Sequence, residues 1–206
     1  RSRGLGDVYK RQTLGYSNNN IKQSMMNQLV KLPYASNFSG YHSQTTEQYA
    51  EQICKRTNMS RVYFTNSGSA AVETAIKLTG KEIAVCGKHS YHGSTILSAN
   101  ASDQDINKFW GIQNPMSVHK FEDVEDLISI CKGLYDMSFV IIEPVVGAGG
   151  VYDWPSEIWK VLEEYQQKGG IVILDETVTG FGKLGTMFAF EKIKFKPDMI
   201  ILGKGI

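Results

Sequence analysis

Three ionisable residues stand just past runs of apolar residues, where a charge is costly to desolvate unless it is paired or used. Glu143 follows Phe139-Val140-Ile141-Ile142, Asp175 follows Ile171-Val172-Ile173-Leu174, and Lys204 follows Met199-Ile200-Ile201-Leu202-Gly203. A fourth feature, Asn66-Ser67-Gly68-Ser69, lies between a short apolar stretch and a helical pattern that begins at Ala70. Small residues there let backbone N–H groups approach an anion, and the start of a helix favours a phosphate. Each feature alone has a plain structural reading: an ion pair, a solvated strand end, a common turn. Together, a phosphate cradle, a lysine and a carboxylate suit a phosphorylated aldehyde cofactor, which needs a Schiff-base lysine and an acid at its ring nitrogen.

The elements that must position these residues follow from periodicity. Besides the three apolar runs, Arg61–Thr65 and Glu82–Cys86 are short strand candidates. One helix is expected around Ile21–Leu32. Another starts at Thr45-Thr46-Glu47-Gln48, where Thr45 and Gln48 can form a capping box. A third runs from Ala70 to Leu78 and is closed by Gly80. Val124, Leu127, Ile128, Cys131 and Leu134 mark a fourth. A fifth begins near Ser156, turns Ile158, Trp159, Leu162 and Tyr165 inward, and ends at Gly169-Gly170. Short apolar strands alternating with amphipathic helices predict an α/β fold, a three-layer sandwich with a mainly parallel sheet covered on both faces. In such sheets ligands bind beyond the carboxyl ends of the strands, where Glu143, Asp175 and Lys204 fall.

Composition narrows the function classes. The 206 residues are 42% hydrophobic and 21% charged, as in an ordinary globular chain. A chain of this length buries roughly 70% of its unfolded surface, enough for a core without disulfide staples. The net charge of +1 argues against nucleic acid as a partner. No apolar run is long enough to span a bilayer, so no membrane partner is expected. Cys54, Cys86 and Cys131 are scattered and odd in number, which fits a reducing compartment and a cytoplasmic location. His42, His89, His92 and His119 lack zinc-ligand spacing, and no metal is expected. Gly147-Ala148-Gly149-Gly150 resembles a dinucleotide fingerprint, but Tyr152 occupies the last glycine position. Reverse-translated, Asp7–Gln12 gives a transposase recognition end used in sequencing adapters, so residues 1–12 are read as translated adapter.

Four stretches carry a resemblance to a known family. They are Phe64-Thr-Asn-Ser-Gly-Ser-Ala-Ala-Val-Glu-Thr-Ala-Ile-Lys77, Tyr91-His92-Gly93-Ser94-Thr95, Ile142-Glu-Pro-Val-Val-Gly-Ala-Gly-Gly150, and the segment from Ile173-Leu-Asp-Glu-Thr-Val-Thr-Gly-Phe-Gly182 to Pro197-Asp-Met-Ile-Ile-Leu-Gly-Lys-Gly205. Over nearly all of residues 13–206 the chain resembles the class III aminotransferases, pyridoxal-phosphate enzymes of fold type I. The 29 positions from Asp175 to Lys204 match that family's spacing.

The resemblance implies an incomplete fold type I large domain. Residues 13–45 would belong to the small domain and dimer contact, and 46–206 would form the N-terminal part of the cofactor-binding domain. It implies that Lys204 carries pyridoxal 5'-phosphate as a Schiff base and then shuttles a proton. Asp175 would pair with the pyridine nitrogen, and Gly68 and Ser69 would hold the phosphate. Tyr91 would stack on one ring face and Thr177 would pack on the other. His92, Glu143 and Val178 would complete the cofactor surroundings. The implied activity is transfer of an amino group between an amine or amino acid and an oxo acid, by a homodimer of the full-length protein. The 206-residue chain alone is expected to be inactive. Open alternatives are an aminomutase of the glutamate-1-semialdehyde type, a decarboxylase on the same scaffold, and a cofactor-dead relative, against which the presence of Asp175 and Lys204 speaks. The chain departs from the usual pattern at Ala70, where Glu is common, at Thr177 for Val or Ile, and at Val146 and Val178 for Gln.

Overall fold

The computed structural model describes residues 14–36, 40, 42–103 and 106–205, so the adapter-like segment lies outside them. The chain divides into two compact units, one running up to Phe64 and the other from Thr65 onward.

The first unit contains helices α1 (Asn19–Lys31) and α2 (Gln44–Thr57). Asn18 starts α1 by accepting from the amides of Asn20 and Ile21. Helix α2 begins earlier than the expected Thr45 cap. Ser43 is its N-cap, and its Oγ accepts from Thr46 N at 3.1 Å. Asn58, in the left-handed region at φ 55°, ends the helix. The strand expected over Arg61–Thr65 does not form. Its β-prone side chains have no neighbouring ladder, and Tyr63 is 73% exposed.

The second unit is built on a five-stranded sheet whose paired strands are all parallel. In chain order its elements are α3 (Gly68–Thr79), β1 (Ile83–Gly87), α4 (Ile96–Asn100), α5 (Ile106–Phe109), β2 (Ser117–Phe121), α6 (Val124–Cys131), β3 (Ser138–Ile142), β4 (Val145–Val146), β5 (Tyr152–Asp153), α7 (Glu157–Gln167), β6 (Ile171–Glu176), α8 (Ala189–Ile193) and β7 (Met199–Leu202). The spatial order is β2-β1-β3-β6-β7, and β4 pairs with β5 as a small antiparallel hairpin. The chain leaves β1 toward β2 and returns to β1's other side with β3. Strand order therefore reverses between β1 and β3, which places the ligand crevice of such a sheet at that gap.

Strand alternation divides the core in two. Val140, Ile142, Val172 and Leu174 pack with Leu127, Ile158 and Leu162 of α6 and α7. Phe139, Ile141, Ile173 and Ile201 pack on the other face with Val72, Ala75 and Ile76 of α3. This is the expected three-layer sandwich with a parallel sheet. Asp175 follows Ile173 by two residues and so faces the α3 side, whereas Glu176 faces away from it. Among the described residues no helix is long and apolar enough to cross a membrane.

Candidate active site

Helix α3 supplies the first wall. Ser67 is its N-cap, with Oγ accepting from Ala70 N at 3.1 Å. The first amides of a helix have no partner within it, so those of Gly68 and Ser69 stand at the end where an anion is favoured. The Ser69 hydroxyl accepts from Ser94 N at 3.1 Å, and its carbonyl accepts from Thr95 Oγ1. Gly93, at φ 134°, makes this approach possible, because a Cβ there would stand 2.5 Å from Ser69 Oγ.

The loop after β1 supplies Tyr91 and His92. The imidazole of His92 is buried, with Nδ1 2.9 Å from Asp175 Oδ2, while its own amide donates to Ser102 Oγ. His92 Nε2 is buried and has no hydrogen-bond partner among the described residues. The second Asp175 oxygen, Oδ1, accepts from Thr177 N at 3.0 Å. Burial alone would push the Asp175 carboxyl up. The hydrogen bond and charge of His92, with the bonds from Thr177, outweigh that and hold it below its usual range.

Glu143, just past β3, is buried between two amides: Oε1 accepts from Tyr91 N at 3.0 Å and Oε2 from Gly147 N at 3.1 Å. Burial pushes its carboxyl up, and the neighbouring charge of Asp175 adds to this, against partial relief from His92 and the two amides. The two acids on this side of the sheet are thus driven in opposite directions, one kept ionised and one drawn toward the protonated form.

Thr177 ties the remaining parts together. Its Cγ2 would be 3.3 Å from a Cβ on Gly68 and 3.0 Å from one on Gly203. The N-terminal end of α3 and the segment bearing Lys204 therefore both abut this one side chain. Val178 faces Gly147, at 3.6 Å from that residue's Cβ position. Lys204 itself sits at φ 51°, in the left-handed region that side chains rarely adopt, and Gly205 N donates to Gly203 O across it at 2.6 Å. Strain of this kind collects at functional positions.

Every residue expected at the site thus lies at the carboxyl ends of the strands or at the adjoining end of α3. Sequence reasoning missed the residues that hold them: Gly93, Ser102, Gly147, Gly149 and Gly203. The Gly147-Ala148-Gly149-Gly150 stretch was the available signal. Its meaning is close backbone approach, since a Cβ on Gly149 would run into the His89 carbonyl. Glu176, adjacent to Asp175, belongs to the scaffold: it is fully buried and accepts from Ala189 N at 2.7 Å and Phe190 N at 2.9 Å, capping α8.

A parallel α/β sheet whose strand ends gather a helix start, a buried carboxylate held ionised and a lysine-bearing segment has the layout of a ligand-binding α/β domain. The chain belongs to the aminotransferase class-III family, whose model matches residues 7–206. It is 32% identical over 199 residues to an acetylornithine aminotransferase of Methanosarcina mazei, covering 94% of this chain and 50% of that protein. It is likewise 32% identical over 201 residues to one of Archaeoglobus fulgidus, covering 94% and 52%. An amine transaminase from an uncultivated Pseudomonas species, solved in its PLP-bound form, superposes with a TM-score of 0.89 at 25% identity, covering 98% of this chain and 53% of that one. The chain spans about half the length of the relatives it matches.

Proposed function

We propose that this chain is the cofactor-binding part of a pyridoxal-phosphate-dependent transaminase, acting on an amine or amino acid as donor and an oxo acid as acceptor. The observation that carries the reading is the buried His92–Asp175 pair, facing the same side of the sheet as α3 and near the rim that bears Lys204. The residues present fit the cofactor. Asp175 is an acid held ionised, as a protonated ring nitrogen requires. The amides of Gly68 and Ser69 open α3 for a phosphate. Gly68 and Gly203 keep clear a space that a Cβ would crowd against Thr177.

Pyridoxal phosphate, when bound, supplies an aldehyde that takes up the amino group and a ring that draws electrons from the substrate carbon. Lys204 would hold the cofactor through Nζ and, once displaced by the incoming amine, move a proton at the substrate carbon. Asp175 would keep the ring nitrogen protonated, with His92 orienting its carboxylate. Tyr91 would cover one ring face and Thr177 the other, with Val178 at the ring edge. Glu143 would stand beside this group, joined to Tyr91.

The wider assignments belong to the same reading. Residues 46–206 are the N-terminal part of the large domain and 13–45 a segment of the small domain and dimer contact. The full-length protein works as a homodimer. The three free cysteines favour a cytoplasmic location.

Borohydride reduction of the full-length protein with pyridoxal phosphate, followed by peptide mapping, tests the assignment. The expected result is a phosphopyridoxyl group on Lys204 that disappears in Lys204→Ala. A folded full-length protein that traps no cofactor would overturn it and favour a non-catalytic relative.

A further inference from the structure

Glu143 does more than border the cofactor site. Its two carboxylate oxygens serve different segments: Oε1 accepts from Tyr91 N, in the loop after β1, and Oε2 accepts from Gly147 N, in the β4–β5 hairpin. Its carbonyl accepts from Trp154 Nε1 at 3.0 Å, on the hairpin's return arm. The same loop and hairpin meet again on either side. Tyr152 OH donates to Lys88 O at 2.9 Å. Gly149 lies directly against the His89 carbonyl, where no side chain fits. The Trp154 ring closes over Gly87, 2.6 Å from where its Cβ would be. The hairpin and its flanks are therefore fastened at Gly87, Lys88, His89 and Tyr91, and Glu143 makes the fastening at Tyr91.

We infer that Glu143 is a positioning residue: by clasping the Gly147 hairpin to the Tyr91 backbone, it sets where the Tyr91 ring stands. The inference rests on the proposed reading of Tyr91 as the residue that covers the cofactor ring. A carboxylate is needed because both of its partners are N–H donors. A glutamine offers one acceptor and turns an NH2 group toward the other amide. The rim of the site is thus shaped by a hairpin that contributes no group to the chemistry.

A double-mutant cycle in the full-length protein tests this, with pyridoxal phosphate affinity read by titrating the apo form and following visible absorption. Glu143→Gln is expected to weaken binding by about tenfold and to change the visible circular dichroism of the bound cofactor. In a Tyr91→Ala background the same substitution should cost less than about twofold, because the ring it positions is gone. Unchanged affinity, or an equal loss in both backgrounds, overturns the inference. Gly149→Ala pushes the hairpin off His89 from its far side. It runs through the same cycle with the same expectation if Glu143→Gln does not fold. Wild-type protein without a cofactor band overturns the proposed function and the clasp with it, whereas a normal band with an additive cycle overturns the clasp alone.

Discussion

His92 Nδ1 lies 2.9 Å from Asp175 Oδ2, and both side chains are shut off from solvent. The two residues come from strands on either side of β3, so neither the β1 loop nor the end of β6 positions its side chain alone. The imidazole compensates the burial of the carboxylate, and the carboxylate fixes which way the imidazole faces.

This pair makes stability depend on pH. The native Asp175 carboxyl titrates below its ordinary value of 3.8, so on acidification the unfolded chain takes up the proton first. The stabilising contribution is full above that ordinary value and is lost as pH falls through the native one. In His92→Gln, unfolding free energy at pH 7 should drop by about 1–3 kcal/mol. The deficit should narrow toward pH 3, where wild type has begun to lose the same contribution. Urea unfolding at both pH values measures it, and a deficit independent of pH contradicts the pairing.

The contact of Gly203 with Thr177 yields a prediction about space. Gly203 lies outside the left-handed region, so room rather than backbone strain decides what it tolerates. Gly203→Ala would set a methyl 3.0 Å from Thr177 Cγ2 and should destabilise by about 1–3 kcal/mol. Thr177→Ser removes that Cγ2 and keeps the hydroxyl. Combined with Gly203→Ala, it should restore more than half of the loss in thermal or denaturant unfolding. Purely additive losses would mean that the clash lies elsewhere.

Glu176 should behave as scaffold. Its carboxylate serves two amides of α8, and burial drives its carboxyl up. Glu176→Ala leaves both amides unsatisfied in a dry place and should cost about 2–4 kcal/mol of stability. Glu176→Gln, which keeps one acceptor, should cost less than half as much. Once folded, both variants should bind pyridoxal phosphate as wild type does. A selective loss of cofactor affinity with stability intact would move Glu176 into the site.

The apolar strands β3, β6 and β7 were legible because a parallel strand covered on both faces needs no polar alternation. Asp175 and Lys204 stand out in the sequence for the same reason: a charge at the end of such a run has nowhere to hide. The edge strand β2, Ser117–Phe121, gave no such signal, since only Phe121 of it is buried. Arg61–Thr65 erred the other way, with β-prone residues but no partner strand. At α2, Ser43 and Thr45 both carry a capping hydroxyl, and only the observed bond to Thr46 N selects between them. Ser67 caps α3 at Ala70 N, while Ala70, standing where Glu is common in the family, has no side chain to reach back. The His92–Asp175 and Glu143–Tyr91 bonds join residues far apart in the chain, and no local pattern encodes them.

The strand order has a consequence for how the site comes into being. Tyr91 and His92 follow β1, Glu143 follows β3, Asp175 is the last residue but one of β6 and Lys204 follows β7, and these four strands are neighbours in space in that order. Non-local parallel pairings of this kind form slowly, after their loop-closure entropy has been met. The proposed site draws on all four of these strands and on the start of α3, so a half-built sheet holds only part of it. A ligand that needs the whole site binds only the finished form and draws the folding equilibrium toward it by mass action. Under the proposed function, pyridoxal phosphate would be no nucleus for this domain; it would be a latch that closes after the last strand has docked.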